Sequence, residues 1–176
     1  MPITIAVALS GALLHGQAPS ESQVKAVYLL NFARFTTWPQ PEAAEPDEFD
    51  VCVLGSDPFG AVLDATFADE TVGGKRVAAR RIASPDAAGP CRVVFISATE
   101  RPELPRILQT IQKGRALTVS DLPGFVDQGG MIEFVPEGRR VRFAVNVAAA
   151  DRSGLLLSSE LLRVALKVKT ASKPRG

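Results

Sequence analysis

Reactive side chains are scarce in this 176-residue chain. The only histidine, His15, lies near the N-terminus in a segment that we expect to be removed, and the two cysteines are Cys52 and Cys91. A mature chain without histidine lacks the commonest general base and a common metal ligand. Serine–histidine and cysteine–histidine mechanisms and most zinc sites are therefore not expected. We predict no catalytic residue, no cofactor and no metal.

Carboxylates are the remaining candidates for chemistry. Asp57 follows the apolar run 49–55, and Asp121 closes the apolar run 116–121. Ligands of α/β proteins bind at the carboxyl ends of parallel strands, so these two aspartates are candidates for a ligand crevice. An aspartate after a strand is also a common turn or helix-cap residue, and this structural role is favoured. A hydrolase with paired carboxylates is a third, weaker hypothesis.

Two glycine-containing segments have some features of phosphate loops. "GSDPFG" (55–60) lacks both the G-x-G-x-x-G spacing and the Lys-Ser/Thr of a P-loop. "SDLPGFVDQGGMIEF" (120–134) contains three glycines but no lysine or arginine. Anion chemistry is therefore not expected there. We interpret this second segment as a connection to a hairpin, in which Phe125 packs inward or is offered to a partner.

Aromatic residues cluster in "NFARFTTWP" (31–39). Core packing and a helix stop are the ordinary explanation. The alternative is an interface anchor, because exposed aromatic residues often dominate protein–protein binding. Phe35 and Trp38, with Phe125 from the later loop, are our candidates for partner binding.

The order of elements predicts the fold class. Residues 22–38 have the apolar spacing of a helix, and strands then alternate with helices as in βαβ units. Residues 131–146 alternate around "PEGR" as a hairpin does. We predict one layered α/β domain, with a largely parallel sheet flanked by helices and an antiparallel hairpin toward the C-terminus. The expected strands are 49–55, 75–82, 91–98 and 116–121. The expected later helices are 57–68, 101–114 and 158–169. Apolar and basic residues alternate in strand 75–82, as in an exposed or edge strand.

The N-terminal segment of the chain indicates export. Residues 3–14, "ITIAVALSGALL", resemble the apolar core of a signal peptide, although no basic residue precedes them. A buried N-terminal strand is the alternative. We expect a signal peptide at 1–18, one domain at 19–170 and a flexible tail at 171–176, with no membrane insertion of the mature chain.

Twenty basic against 19 acidic residues give no reason to expect nucleic-acid binding.

The even cysteine count is consistent with export. In an oxidising compartment, Cys52 and Cys91 would form a disulfide. In a cytosolic chain, two buried free thiols would be the better interpretation.

Several segments, in their order and spacing, resemble the YfiR/HmsC family of small periplasmic proteins. The resemblance covers about residues 22–168, and it rests on the combination of F-x-x-W-P, G-x-D-P-F-G, V-S-D-x-x-G-F and S-S-E-L-L-R. These motifs lie in "VKAVYLLNFARFTTWP", "VCVLGSDPFGAVLD", "CRVVFISATE", "LTVSDLPGFVDQGGMIEFV" and "RVRFAVNVAAADRSGLLLSSELLRVA".

The resemblance implies a function that the chemistry alone does not. YfiR-like proteins are not known as enzymes; they bind the periplasmic sensor domain of a YfiN-type inner-membrane diguanylate cyclase and hold it inactive. This lowers cyclic-di-GMP and biofilm formation, and a YfiB-type outer-membrane lipoprotein can sequester the repressor. The family also implies a homodimer and a redox-sensitive disulfide, which Cys52 and Cys91 match in position. Some members have a second cysteine pair that this chain lacks. A periplasmic small-ligand binder, with Asp57 and Asp121 in its crevice, remains the alternative.

Overall fold

The computed structural model describes residues 18–39 and 47–170. The predicted signal peptide falls outside these residues except for Ala18, as does the predicted tail at 171–176. The helices are α1 (Glu21–Arg34), α2 (Ala61–Phe67), α3 (Leu104–Lys113), α4 (Val147–Arg152) and α5 (Ser159–Val164). The strands are β1 (Thr36–Thr37), β2 (Glu48–Leu54), β3 (Thr71–Val72), β4 (Lys75–Ile82), β5 (Cys91–Ile96), β6 (Leu117–Ser120), β7 (Ile132–Glu137), β8 (Arg140–Asn146), β9 (Leu156–Leu157) and β10 (Lys167–Lys169).

The described part of the chain contains an eight-stranded, mostly parallel sheet. Its strand order is β10-β8-β7-β6-β5-β2-β4-β3, and the antiparallel pairs are β7 with β8 and β3 with β4. A separate two-stranded ribbon joins β1 to β9. The predicted fold class is confirmed, including the hairpin toward the C-terminus. The almost continuously apolar strands β5 and β6 are buried in the middle of the sheet, as parallel strands covered by helices require.

The first helix begins where its sequence specifies and ends earlier than predicted. Ser20 and Gln23 form a capping box that satisfies the free backbone groups of the first turn. The helix ends at Arg34, because the Oγ1 of Thr36 donates to the carbonyl of Phe32 and the chain then pairs with β9. The predicted helix is therefore wrong over its last residues, where a tertiary strand pairing replaces helical hydrogen bonds.

The predicted helix 158–169 is also partly wrong. Ser158 caps α5, but the helix ends at Val164. The backbone N–H of Leu166 then donates to the carbonyl of Phe143, and β10 runs parallel to β8. The amphipathic spacing favours a helix locally, but the edge of β8 offers unpaired backbone groups that convert the last residues into a strand.

Two apolar clusters cover the two faces of the sheet. The larger cluster packs α1 and α2 on one face, and its rings include Phe32, Phe134 and Phe143, with Phe32 5.0 Å from Phe143 between centroids. The smaller cluster packs α3 on the other face through Leu104, Ile107, Leu108 and Ile111.

The disulfide between Cys52 and Cys91 lies in the smaller cluster. It links β2 to the first residue of β5 across a Cα–Cα distance of 5.9 Å, and both cysteines are buried. The chain-entropy model gives such a cross-link about 4 kcal/mol of stabilisation, because it restricts the unfolded chain.

Candidate partner-binding site

The aromatic residues of α1 divide into an anchor and an exposed end. Phe32 is fully buried, and Tyr28 stacks on it with 5.7 Å between ring centroids. One turn later the helix stops, and Phe35 occupies the C-cap with 38% of its surface exposed. The anchor holds the end of the helix in place and therefore presents Phe35 from a rigid position.

An apolar pocket of about 410 Å³ opens beside Phe35. Its floor is formed by rings of the core, and its opposite wall is α5. Asn31, Glu160 and Arg163 supply the polar groups at this site. The lining residues are Tyr28, Asn31, Phe32, Phe35, Phe143, Glu160, Leu161, Arg163 and Val164.

Exposed aliphatic side chains lie at this pocket and on the elements beside it. Val164 lines it and is 57% exposed. Leu156 is 63% exposed and pairs with Thr37, two residues after Phe35. Val27, also exposed, lies one helical turn before Asn31, on the same side of the helix. We call Val27, Phe35, Leu156, Val164 and the pocket the Phe35 patch.

Trp38 is half-buried and lies apart from this pocket. Its ring packs edge-on against Phe49 at 5.3 Å between centroids, and it lines a second cavity of about 300 Å³ with Arg34 and Glu48. Its Nε1 has no hydrogen-bond partner among the described residues. The structure therefore does not bring Trp38 and Phe35 together in one pocket.

Phe125 is buried in the smaller core cluster and has no exposed surface. Its ring lies directly against Gly130, at a position where any Cβ would overlap the ring atoms. Of the two interpretations of this residue, inward packing is the one that the structure supports. Phe125 is removed from the candidate partner-binding residues, because a side chain inside the core has no surface to offer.

The loop around Phe125 is fixed by a carboxylate. Glu133, at the start of β7, accepts hydrogen bonds from the backbone N–H groups of Gly124 at 2.9 Å and Val126 at 3.1 Å. Asn146 adds a bond from its Nδ2 to the carbonyl of Val126. These bonds satisfy backbone groups that would otherwise be buried without partners, so the acidic residue after the glycines has a structural role.

Asp57 closes a turn after β2. Its Oδ1 accepts from the backbone N–H of Phe59 at 2.8 Å, and its Oδ2 accepts from Arg81 at 2.9 Å. Arg81 also pairs with Asp64, and this hydrogen bond lowers the pKa of the Asp64 carboxyl. The carboxylate of Asp57 is thereby paired with Arg81 and committed to the turn.

The crevice between the ends of β2 and β5 is filled by the chain itself. Gly55 has a φ of +87°, and a Cβ there would lie 2.7 Å from the side-chain oxygens of Thr99 and Glu100. The Oγ1 of Thr99 also accepts from the backbone N–H of Ser56. Side chains thus occupy the position where many α/β proteins bind ligands.

Asp121, at the end of β6, is held by α1. Its carboxylate lies 2.9 Å from the Nζ of Lys25, which also pairs with Glu21. Burial opposes the charge on Lys25, but the hydrogen bonds and charges of Glu21 and Asp121 outweigh it and raise the pKa of the ammonium group. Asp57 and Asp121 therefore serve two separate structural contacts.

A family model decides the relationship of this chain to known proteins. The model described as YfiR/HmsC-like matches residues 22–166. The chain belongs to the YfiR/HmsC-like family. This family is periplasmic, acts in regulation of the cyclic-di-GMP pathway, and is regulatory rather than catalytic. No helix in the ranges 18–39 and 47–170 is long and apolar enough to cross a membrane.

Solved structures share the fold of this YfiR/HmsC-like chain at low sequence identity. A conserved domain protein from Vibrio cholerae O1 biovar eltor str. N16961 has a TM-score of 0.61 and 10% identity, and the match covers 85% of this chain and 60% of that one. An ABC domain from Streptococcus pneumonia, in complex with L-Trp, has a TM-score of 0.54 and 12% identity, with 81% and 60% covered. The chain spans about 60% of the length of each.

Sequence reasoning identified Phe35 in this YfiR/HmsC-like protein and missed its neighbours. The predicted helix 158–169 contains Val164, and Leu156 precedes it; neither residue has a type or spacing that marks it as exposed. The early stop of α1 at Arg34 and of α5 at Val164 brings these side chains to the surface together. The sequence signal for this exposed surface was the strongly apolar stretch "GLLLSSELL" (154–162), which forms short elements.

Proposed function

We propose that this protein is a periplasmic repressor that binds the periplasmic sensor domain of a YfiN-type inner-membrane diguanylate cyclase. Binding holds the cyclase inactive and lowers cyclic-di-GMP and biofilm formation. The Phe35 patch is the observation that carries this proposal, because exposed apolar side chains grouped near an apolar pocket are typical of interaction sites. Family membership supports the same pathway.

The patch has the composition of an interface centre. Phe35 and Val164 line a pocket that a partner side chain can fill, and Leu156 is exposed on the ribbon that follows Phe35. Full burial of an apolar side chain of this size contributes about 1.5–3 kcal/mol. A few such residues at the centre commonly supply most of the binding energy of an interface. Trp38 is a peripheral candidate for partner binding. It is half-buried and close to Phe35 in sequence, but its ring lines another cavity.

Several parts of the proposal follow from the family and need their own experiments. The protein is exported by the N-terminal segment, acts as a homodimer, and is released from the cyclase when a YfiB-type outer-membrane lipoprotein sequesters it. It has no enzymatic activity of its own. The Cys52–Cys91 disulfide keeps the sheet under the α3 face intact, so reduction in the periplasm weakens repression.

The decisive experiment measures cellular cyclic-di-GMP after deletion of the gene and after complementation. Deletion should raise cyclic-di-GMP, wild type should restore it, and Phe35→Ser with Val164→Ser should fail to restore it. Val168→Ser is the control, because Val168 is about as exposed (39%) as Phe35 (38%) but does not line the pocket. No rise on deletion would exclude the repressor function, and full rescue by the double variant would exclude the patch.

Small-ligand binding is a second candidate, and the pocket beside Phe35 supports it better than a crevice at Asp57 and Asp121. The crevice at Gly55 is filled by side chains, which gives no support to a ligand site at Asp57 and Asp121. The pocket beside Phe35 is better suited, since it combines apolar walls with Asn31, Glu160 and Arg163. A thermal-shift screen of small aromatic and amphipathic compounds tests it. A compound whose stabilisation is lost in Phe35→Ser favours this function, whereas a screen without such a compound counts against it.

A further inference from the structure

The strand β4 is paired along only one of its two sides. On one side it runs parallel to β2 over Glu48–Leu54, opposite Arg76–Ile82. On the other side, β3 pairs through two residues only, opposite Lys75 and Arg76. From residue 78 to residue 82, the outer side of β4 has no strand partner among the described residues.

The direction of one hydrogen bond shows which backbone groups face outward. The N–H of Val77 donates to the carbonyl of Glu70 at 3.0 Å, on the side away from β2. In a parallel ladder, alternate residues direct both N–H and C=O to the same side. Ala79 and Arg81 therefore also present their backbone groups outward, and in the described part of the chain no backbone group bonds to them on that side.

A groove of about 610 Å³ runs along β4 as far as Ala79, so it borders the first two residues of the open edge, Ala78 and Ala79. One wall is β4 itself, from Arg76 to Ala79, and the other is the end of α2 with the turn that follows, from Phe67 to Thr71. An added strand of four or five residues would extend about 13–17 Å, the length of the unpaired part of β4. Phe67 and Val77 are buried, so the groove has an apolar floor.

Among the described residues, one carboxylate at the rim of the groove has no ion-pair partner. Four carboxylates and one guanidinium line the groove, from Glu48, Asp64, Asp69, Glu70 and Arg76. Three of the carboxylates are in ion pairs: Glu48 with Arg76 and Arg80, Asp64 with Arg81, and Glu70 with Arg34. Asp69 forms no ion pair within residues 18–39 and 47–170, and it holds a left-handed backbone with a φ of +62°. Such a conformation is uncommon outside glycine.

We propose that the open edge of β4, from residue 78 to residue 82, accepts an extended, lysine- or arginine-bearing segment of a partner protein as an additional strand. The outward backbone groups of Ala79 and Arg81 supply the strand hydrogen bonds. The apolar floor takes the inward side chains of the segment, and Asp69 selects its basic side chain. Strand addition of this kind gives affinity through the main chain and specificity through alternate side chains. The groove is distinct from the Phe35 patch and does not depend on the proposed function.

Phage display of random octapeptides on the purified, disulfide-intact protein provides the probe. Selected peptides should alternate β-branched with basic residues, and fluorescence anisotropy of the labelled peptides should give saturable binding. Ala79→Pro removes one outward N–H without removing a β2–β4 hydrogen bond, so it should weaken binding at least tenfold. Ala79→Ser keeps the N–H and should bind as wild type does.

A second variant covers the case in which Ala79→Pro fails to fold. Asp69→Asn removes the charge, and asparagine tolerates the left-handed backbone. It should weaken binding of basic peptides several-fold, and added salt should reduce this difference. Any of three results would overturn the proposal: no peptide is selected, the peptides bind Ala79→Pro as tightly as wild type, or their binding is lost in Phe35→Ser instead. If no peptide is selected but the protein self-associates, and Ala79→Pro abolishes that association, the added strand comes from a second copy of this chain and not from a partner protein.

Discussion

The Nζ of Lys25 lies 2.9 Å from the carboxylate of Asp121 and joins the first helix to the carboxyl end of β6. The same ammonium group pairs with Glu21 and lies 5.8 Å from the centre of the Phe134 ring. The lysine is largely buried, so its charge requires these partners. A carboxylate that is a candidate for a ligand crevice by its sequence position, and for which a structural role is favoured, thus holds a helix on the sheet.

Asp121→Asn should destabilise the protein without changing its regulatory activity. Asparagine can still accept a hydrogen bond from Lys25, so the expected loss is about 1 kcal/mol, the difference between a charged and a neutral partner. Urea unfolding measures this loss, and complementation of the deleted gene measures activity. Loss of repression by a variant that folds normally would show that Asp121 acts in binding or chemistry.

The pKa of Lys25 predicts how its contribution changes with pH. Its pKa is raised above the ordinary lysine value of about 10.5, so its stabilising contacts are fully present below that value. They are lost as the pH rises through the higher pKa of the folded state. The advantage of wild type over Lys25→Met in urea midpoint should therefore shrink as the pH is raised beyond about 10.5. A difference that stays constant with pH would contradict this assignment.

Replacing Cys52 and Cys91 by serine should lower the free energy of unfolding by about 4 kcal/mol in the chain-entropy model. A reducing agent should lower the stability of wild type by a similar amount and leave the double variant unchanged. Denaturant midpoints with and without the reductant measure both effects. Cellular cyclic-di-GMP should rise with the variant if the bridge supports repression, and full rescue would leave the bridge with a structural role only.

Gly130→Ala should destabilise the loop after β6. A Cβ at this position overlaps the ring of Phe125, which is buried and cannot move without disturbing the α3 face of the core. Overpacking of this kind costs about 1–3 kcal/mol. Gly89→Ala is the matched control, because its backbone is right-handed and no atom lies within 4 Å of the added carbon. Thermal melting of both variants tests the prediction, and equal melting temperatures would refute the close contact.

Local sequence determined a large part of this protein. Residues such as Ser20, Gln23 and Ser158 fix where helices begin, because their side chains bond backbone groups a few residues away. Continuous apolar runs predicted the buried parallel strands, and the change to alternation after residue 130 predicted the hairpin. These signals depend on neighbours within one or two turns, so they can be interpreted without the fold.

The tertiary structure decided the features that depend on distant partners. The pairing of Thr36 and Thr37 with β9 ends α1, and the free edge of β8 turns 167–169 into a strand. Three aromatic residues were equal candidates in sequence, yet Phe125 is buried, Trp38 is half-buried and Phe35 is exposed. Exposure depends on which elements pack over a side chain, and a residue's own type and spacing do not specify that packing.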